Sequence, residues 1–66
     1  MIDGSQRVEF EDVVVVRRTG LVVMCRVGPR VVGVPLRRML SGTTILAVDR
    51  GQLVLARELA LNLGLI

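Results

Sequence analysis

The chain has 66 residues, one cysteine, no histidine and a formal net charge of +3. This length allows one small domain, which buries only about 60% of the surface that its unfolded chain exposes. A single cysteine excludes an internal disulfide, and the lack of histidine leaves no usual ligand set for zinc, so we expect self-association to supply stability.

The first half of the chain predicts three strands. We expect a frayed leader over residues 1–6, then strands over residues 7–18, 21–27 and 30–34, with a turn at Gly28-Pro29. Residues 13–16 and 21–25 are unbroken apolar runs rich in β-branched residues, whereas a solvated antiparallel strand should alternate apolar with polar positions. We therefore expect a second copy to cover their other face in a homo-oligomer. The alternative is that a few valines are simply exposed.

The segment from Pro35 to residue 56 predicts a short helix and a hairpin. Pro35 can begin a helix through Leu40, because its missing N–H is not needed in the first turn. Residues 43–48 and 52–56 are apolar stretches on either side of Asp49-Arg50-Gly51. We expect them to pair as two strands around a turn at these three residues.

The C-terminal segment, residues 56–63, predicts a helix. Ala56, Leu59, Ala60 and Leu63 form an apolar stripe, and Gly64 follows where a C-terminal cap belongs. The fold class expected for residues 1–66 is therefore mainly β. It is a single small β-barrel of about five short strands with a short C-terminal helix, intertwined or packed as an oligomer.

No catalytic constellation is visible in the sequence. The usual general base is missing without histidine, and no glycine-rich nucleotide loop is present. We predict that the protein is not an enzyme and that it holds no cofactor or metal. Its N-terminus, MIDGSQ, lacks the plan of a signal peptide, and no apolar run approaches the ~20 residues that span a bilayer. We expect a cytoplasmic protein without membrane contact, in which Cys25 is buried as a small hydrophobe.

Charge is distributed unevenly along the chain. Residues 1–12 carry a net charge of −3, residues 13–66 carry +6, and every basic residue is arginine. Guanidinium groups bind phosphate through paired hydrogen bonds, and a basic body is typical of nucleic-acid binders. The alternative is that the arginines reflect a GC-rich genome. Phe10 is the only aromatic residue, which disfavours stacking on single strands but leaves duplex DNA contacts possible.

The stretch RVVGVPLRRMLSGTTILAVDRGQLVLAR, residues 30–57, resembles the AbrB-type swapped-hairpin family of regulators and antitoxins. The resemblance is carried by Val34-Pro35, the Arg37-Arg38 pair, Leu40, Gly42 and the hairpin that follows. In that family two chains interleave into one barrel and surface arginines contact DNA. The resemblance thus implies a homodimeric DNA-binding protein that regulates transcription.

Residues 42–60 are also similar to the C-terminal part of FeoA-type SH3-like domains. The similarity is carried by Gly42-Thr43, where a strand begins, and by the sequence LVLARELA at residues 53–60. This second resemblance implies a small barrel that contacts other proteins.

From these features we predict a small DNA-binding regulator or antitoxin-like protein that contacts duplex DNA through surface arginines. The arginines assigned to the contact are those at strand ends, in the short helix and in the turn, namely Arg30, Arg37, Arg38 and Arg50. The alternative for each is an ordinary solvated side chain. The alternative is that the protein is an SH3-like protein-interaction module, or a structural oligomer subunit, that does not bind nucleic acid.

Overall fold

The computed structural model describes residues 6–66 as one antiparallel sheet followed by a helix. The strands are β1 (Arg7–Arg18), β2 (Val22–Val27), β3 (Arg30–Pro35) and β4 (Arg50–Ala56), in the order β3-β2-β1-β4. A 3₁₀ helix (Leu36–Arg38) follows β3, and α1 (Arg57–Asn62) follows β4. The predicted mainly β fold with a C-terminal helix is confirmed. The four strands form an open sheet. Residues 1–5 of the predicted leader lie outside the described residues.

Strand β1 is 12 residues long because its two halves pair with different neighbours. Its first half pairs with β4, its second half pairs with β2, and Val14 is in register with both Arg50 and Arg26. The pairing shifts between Phe10 and Val13, where Asp12 has a φ of 57°, and again between Val15 and Arg17. Such bulges bend a strand and increase its local twist, so β1 bends where its pairing changes from β4 to β2.

The core lies against one face of the sheet. It consists of fully or nearly fully buried side chains from every strand and from the β3–β4 connection: Val13, Val23, Cys25, Val32, Val34, Ile45, Leu53 and Leu55.

Leu59 of α1 and Leu63, the residue that follows the helix, pack against this core, so two residues of the predicted apolar stripe face it. Gly64 has a φ of +77°, and the N–H groups of Gly64 and Leu65 donate to the carbonyls of Leu61 and Ala60. This pattern is a Schellman cap, which satisfies the last carbonyls of the helix. No helix within residues 6–66 is long and apolar enough to cross a membrane.

Residues 43–48 do not form a strand, so the predicted hairpin around Asp49-Arg50-Gly51 is wrong, and β4 already begins at Arg50. The segment nevertheless starts along the free edge of β4. The Thr44 N–H donates to the Gln52 carbonyl at 2.8 Å, and the Gln52 N–H donates to Thr44 Oγ1 at 2.9 Å. Because a threonine hydroxyl replaces a backbone carbonyl as acceptor, the strand ladder is not continued. The chain turns instead and places Ile45 in the core.

Candidate functional site

The side of β2 and β3 that faces away from the core carries a partly exposed apolar surface. Val23 and Cys25 of β2 point into the core, so Val22, Met24 and Arg26, which alternate with them, point outward. In register, Val22 lies opposite Pro35, Met24 opposite Gly33 and Arg26 opposite Val31. We call these six residues the outer face: Val22, Met24, Arg26, Val31, Gly33 and Pro35. Val31 is 50% exposed.

Gly33 allows the side chains of β2 to lie close against β3 on the outer face. A Cβ atom at Gly33 would meet Met24 Sδ and Val22 Cγ1, each at 3.1 Å. These distances are shorter than ordinary van der Waals contacts, so a larger residue would push both side chains away from β3. The glycine that interrupts the valine run therefore shapes this surface.

An apolar groove of about 320 Å³ lies at one end of the outer face, where β3 passes into the 3₁₀ helix. Its lining residues come from the β1–β2 turn, β2, β3 and the 3₁₀ helix: Leu21, Val22, Pro35, Leu36 and Arg37. The Leu36 N–H donates to the Leu21 carbonyl at 3.0 Å, which holds the two leucines at the same end of the sheet. Leu21 is 80% exposed, the largest exposed fraction among the large apolar residues that the structure describes.

The electrostatics of this region are one-sided. Residues 13–48 contain six arginines and no aspartate or glutamate. Arg18 is engaged, because its Nη2 atom lies 2.8 Å from Asp49 Oδ1 and 3.1 Å from the Ile45 carbonyl oxygen. The other five form no ion pair with a carboxylate of residues 6–66: Arg17, Arg26, Arg30, Arg37 and Arg38. A protein surface that meets the outer face therefore meets the positive charge of Arg26.

The structure separates the four arginines predicted to contact DNA. Arg37 and Arg38 are adjacent in the 3₁₀ helix and both are exposed. Arg30 begins β3, about 17 Å from its other end at about 3.4 Å per residue. The Arg30 guanidinium lies beside Gly64: a Cβ atom added at Gly64 would lie 3.4 Å from Arg30 Cζ. Arg50 begins β4 and forms a loose ion pair with Asp12, at 3.9 Å.

Two arginines that were not assigned from the sequence lie on or beside the outer face. Arg26 lies between Val14 and Val31 in register, and Arg17 lies opposite Met24. The sequence held a usable signal, since the carboxylate-free stretch of residues 13–48 coincides with these strands. The face on which each arginine lies could not be read from the sequence, because the bulge between Val15 and Arg17 changes the alternation.

Cys25 is fully buried, as predicted, and its thiol is free. Burial raises the pKa of the Cys25 thiol above its ordinary value, and the positive charge of Arg18 partly opposes this change. Among residues 6–66, no three thiol or carboxylate side chains are grouped so that they could hold a metal ion.

Comparison of the chain with known protein families, with curated proteins and with solved structures finds no match. The resemblances to AbrB-type and FeoA-type proteins therefore stay predictions.

Proposed function

We propose that the chain is a protein-interaction module that binds its partner through the outer face and the groove beside it. The observation that supports this most is an exposed apolar groove whose lining residues all come from a stretch, residues 13–48, that contains six arginines and no carboxylates. Exposed apolar patches with a polar rim are typical of protein interaction sites, and arginine and methionine are enriched in interfaces. The partner should present apolar side chains together with carboxylates. The single buried thiol favours a reducing compartment such as the cytoplasm.

The arginines without ion pairs favour duplex DNA as a second candidate ligand. Arg37 and Arg38 are adjacent and exposed, and phosphate contacts need only guanidinium groups. A regulator or antitoxin-like protein would use them in this way. A protein partner is favoured because phosphate contacts would leave the groove between Leu21 and Leu36 without a role.

A capture experiment tests the interaction module. The immobilised chain is incubated with lysate of its source organism, and bound proteins are identified by mass spectrometry. Leu21→Asp places a carboxylate in the groove and should release the partner, whereas Leu46→Asp, at a position 43% exposed and outside the outer face, should retain it. A partner captured equally by both variants would contradict the proposed surface.

Titration of random duplex DNA decides the second candidate. Binding should weaken with salt at a slope of about −0.9 per phosphate contacted, and Arg37→Ala with Arg38→Ala should reduce that slope by up to about two. Leu21→Asp should leave a contact made only to phosphates largely intact. No binding at tens of micromolar protein in low salt would remove DNA as a ligand.

A further inference from the structure

We propose that the free edge of β3 accepts an extended acidic segment of the partner protein as an additional strand of the sheet. This inference rests on the proposed interaction module and specifies the conformation and the chemistry of the segment that the module binds. Strand addition is a common mode of peptide recognition, in which main-chain hydrogen bonds give affinity and alternate side chains give specificity.

The register of the β2–β3 hairpin determines which backbone groups are free. Val27 pairs with Arg30 across the two-residue Gly28-Pro29 loop. In the pair that closes such a loop, the N–H and C=O groups of each residue bond to those of the other. Bonded and non-bonded pairs then alternate, and the bond from Leu36 to Leu21 fits the same alternation. The N–H and C=O groups of Val31 and Gly33 consequently point away from β2.

This edge is unpaired within the part of the chain that the structure describes. Strand β3 stands at the end of the sheet order, and no backbone hydrogen bond from residues 6–66 reaches it apart from those of its ladder with β2. The half-exposed Val31 lies on the same strand. An unpaired edge of this kind is a template for another strand.

The charges at the two ends of β3 select the occupant. Arg30 lies at its start, and Arg37 and Arg38 follow its end. Antiparallel pairing with β3 of a second copy would bring the arginines at the start of each strand towards those at the end of the other. Like charges placed opposite each other in a sheet are destabilising. An extended segment with carboxylates near both of its ends would instead meet an opposite charge at each end.

The groove adds a requirement for one apolar side chain. Alternate residues of an added strand lie on the same side as the outer face, and those beside Pro35 come close to Leu21 and Leu36. A groove of about 320 Å³ has room for a valine, leucine or larger side chain. The expected ligand is therefore a β-forming segment with apolar residues at alternate positions and glutamate or aspartate at both ends.

The probe is a fluorescein-labelled synthetic peptide, Glu-Glu-Val-Thr-Val-Thr-Val-Glu-Glu, followed by fluorescence anisotropy. Val31→Pro removes the outward N–H at a position where an edge strand tolerates proline, and Val31→Thr keeps both the N–H and the branched shape. Loss of one main-chain hydrogen bond should weaken binding about fivefold to tenfold in Val31→Pro, with little change in Val31→Thr. Circular dichroism checks that both variants are folded.

A second measurement does not depend on the variants. In the wild-type chain, saturating peptide should slow amide hydrogen exchange at Val31 and Gly33, because their N–H groups become hydrogen-bonded. Binding without this protection, and with equal affinity for both Val31 variants, would overturn strand addition. In that case the double variant Arg37→Glu with Arg38→Glu separates the two proposals. If it abolished peptide binding, the proposed interaction module would stand and only strand addition to β3 would be wrong.

Two other results would also overturn the inference. One is the absence of peptide binding to the folded wild-type chain at millimolar peptide. The other is a dimer in light scattering that Val31→Pro converts to monomer while Val31→Thr does not, because the edge would then be occupied by a second copy. The homo-oligomer expected from the sequence stays a prediction that this measurement decides.

Discussion

Ile45 anchors the connection between the 3₁₀ helix and β4, and shortening its side chain should destabilise the whole domain. The side chain is fully buried in the core, whereas its neighbour Leu46 is 43% exposed. A buried Ile→Val change costs about 0.5–1.5 kcal/mol, and Ile→Ala costs about 2–5 kcal/mol. At about 0.05–0.15 kcal/mol per residue, a domain of this length has a free energy of unfolding of only about 3–10 kcal/mol. Ile45→Ala should therefore remove much of the stability, and Ile45→Val is the quantitative probe.

The assay is urea unfolding followed by far-UV circular dichroism, because the chain has no tryptophan or tyrosine for fluorescence. With a denaturant slope of about 1 kcal/mol per molar urea, Ile45→Val should lower the midpoint by about 1 M. Leu46→Ala is the control, and a change at an exposed site of this kind should stay within about 0.5 kcal/mol. Equal shifts for Ile45→Val and Leu46→Ala would refute the argument, since the connection would then not be anchored through Ile45.

Two further predictions concern the helix and the buried thiol. Leu59→Ala should lower the free energy of unfolding by about 2 kcal/mol, because Leu59 packs against the core, whereas Leu61→Ala, at a position 49% exposed, should change it little. Equal losses in thermal unfolding would contradict that packing. Burial raises the pKa of the Cys25 thiol in the folded chain above 9.0, its ordinary value. The buried neutral thiol therefore contributes its full stabilisation below pH 9.0, and this stabilisation is lost as the pH rises through the folded-state pKa. Without lysine, tyrosine or histidine in the chain, Cys25→Ala should remove most of the stability loss above pH 9 in alkaline urea titrations.

Local sequence signals determined the first three strands and the helix well. Gly28-Pro29 closes the β2–β3 hairpin where the turn was predicted, and Gly64 caps α1. Residues 43–48 have the β-branched composition of a strand but form a turn. The hydroxyl groups of Thr43 and Thr44 bond to the edge of β4, and this replacement depends on tertiary contacts that composition does not encode.

The candidate site was only partly predictable, because bulges decide which face a residue occupies. The bulge between Val15 and Arg17 places Arg17 opposite Met24, a residue of the outer face, while Arg18 reaches Asp49 and the Ile45 carbonyl. A shift of one residue in a strand exchanges its two faces. The sequence therefore predicted that arginines would be exposed at strand ends, but not which of them would lie together.

The outer face is more apolar than folding of a single chain requires. One face of the sheet supplies the core, so the apolar character of Val31, on the other face, and of the exposed Leu21, in the β1–β2 turn, contributes little to that core. Natural sheets protect free edges with charged residues and proline, and β3 has arginines at both ends and Pro35 as its last residue. These residues oppose pairing of β3 with a copy of itself while leaving the backbone of Val31 and Gly33 open. The same charges that disfavour self-pairing attract carboxylates, so protection of the edge and selection of an acidic partner follow from one set of side chains.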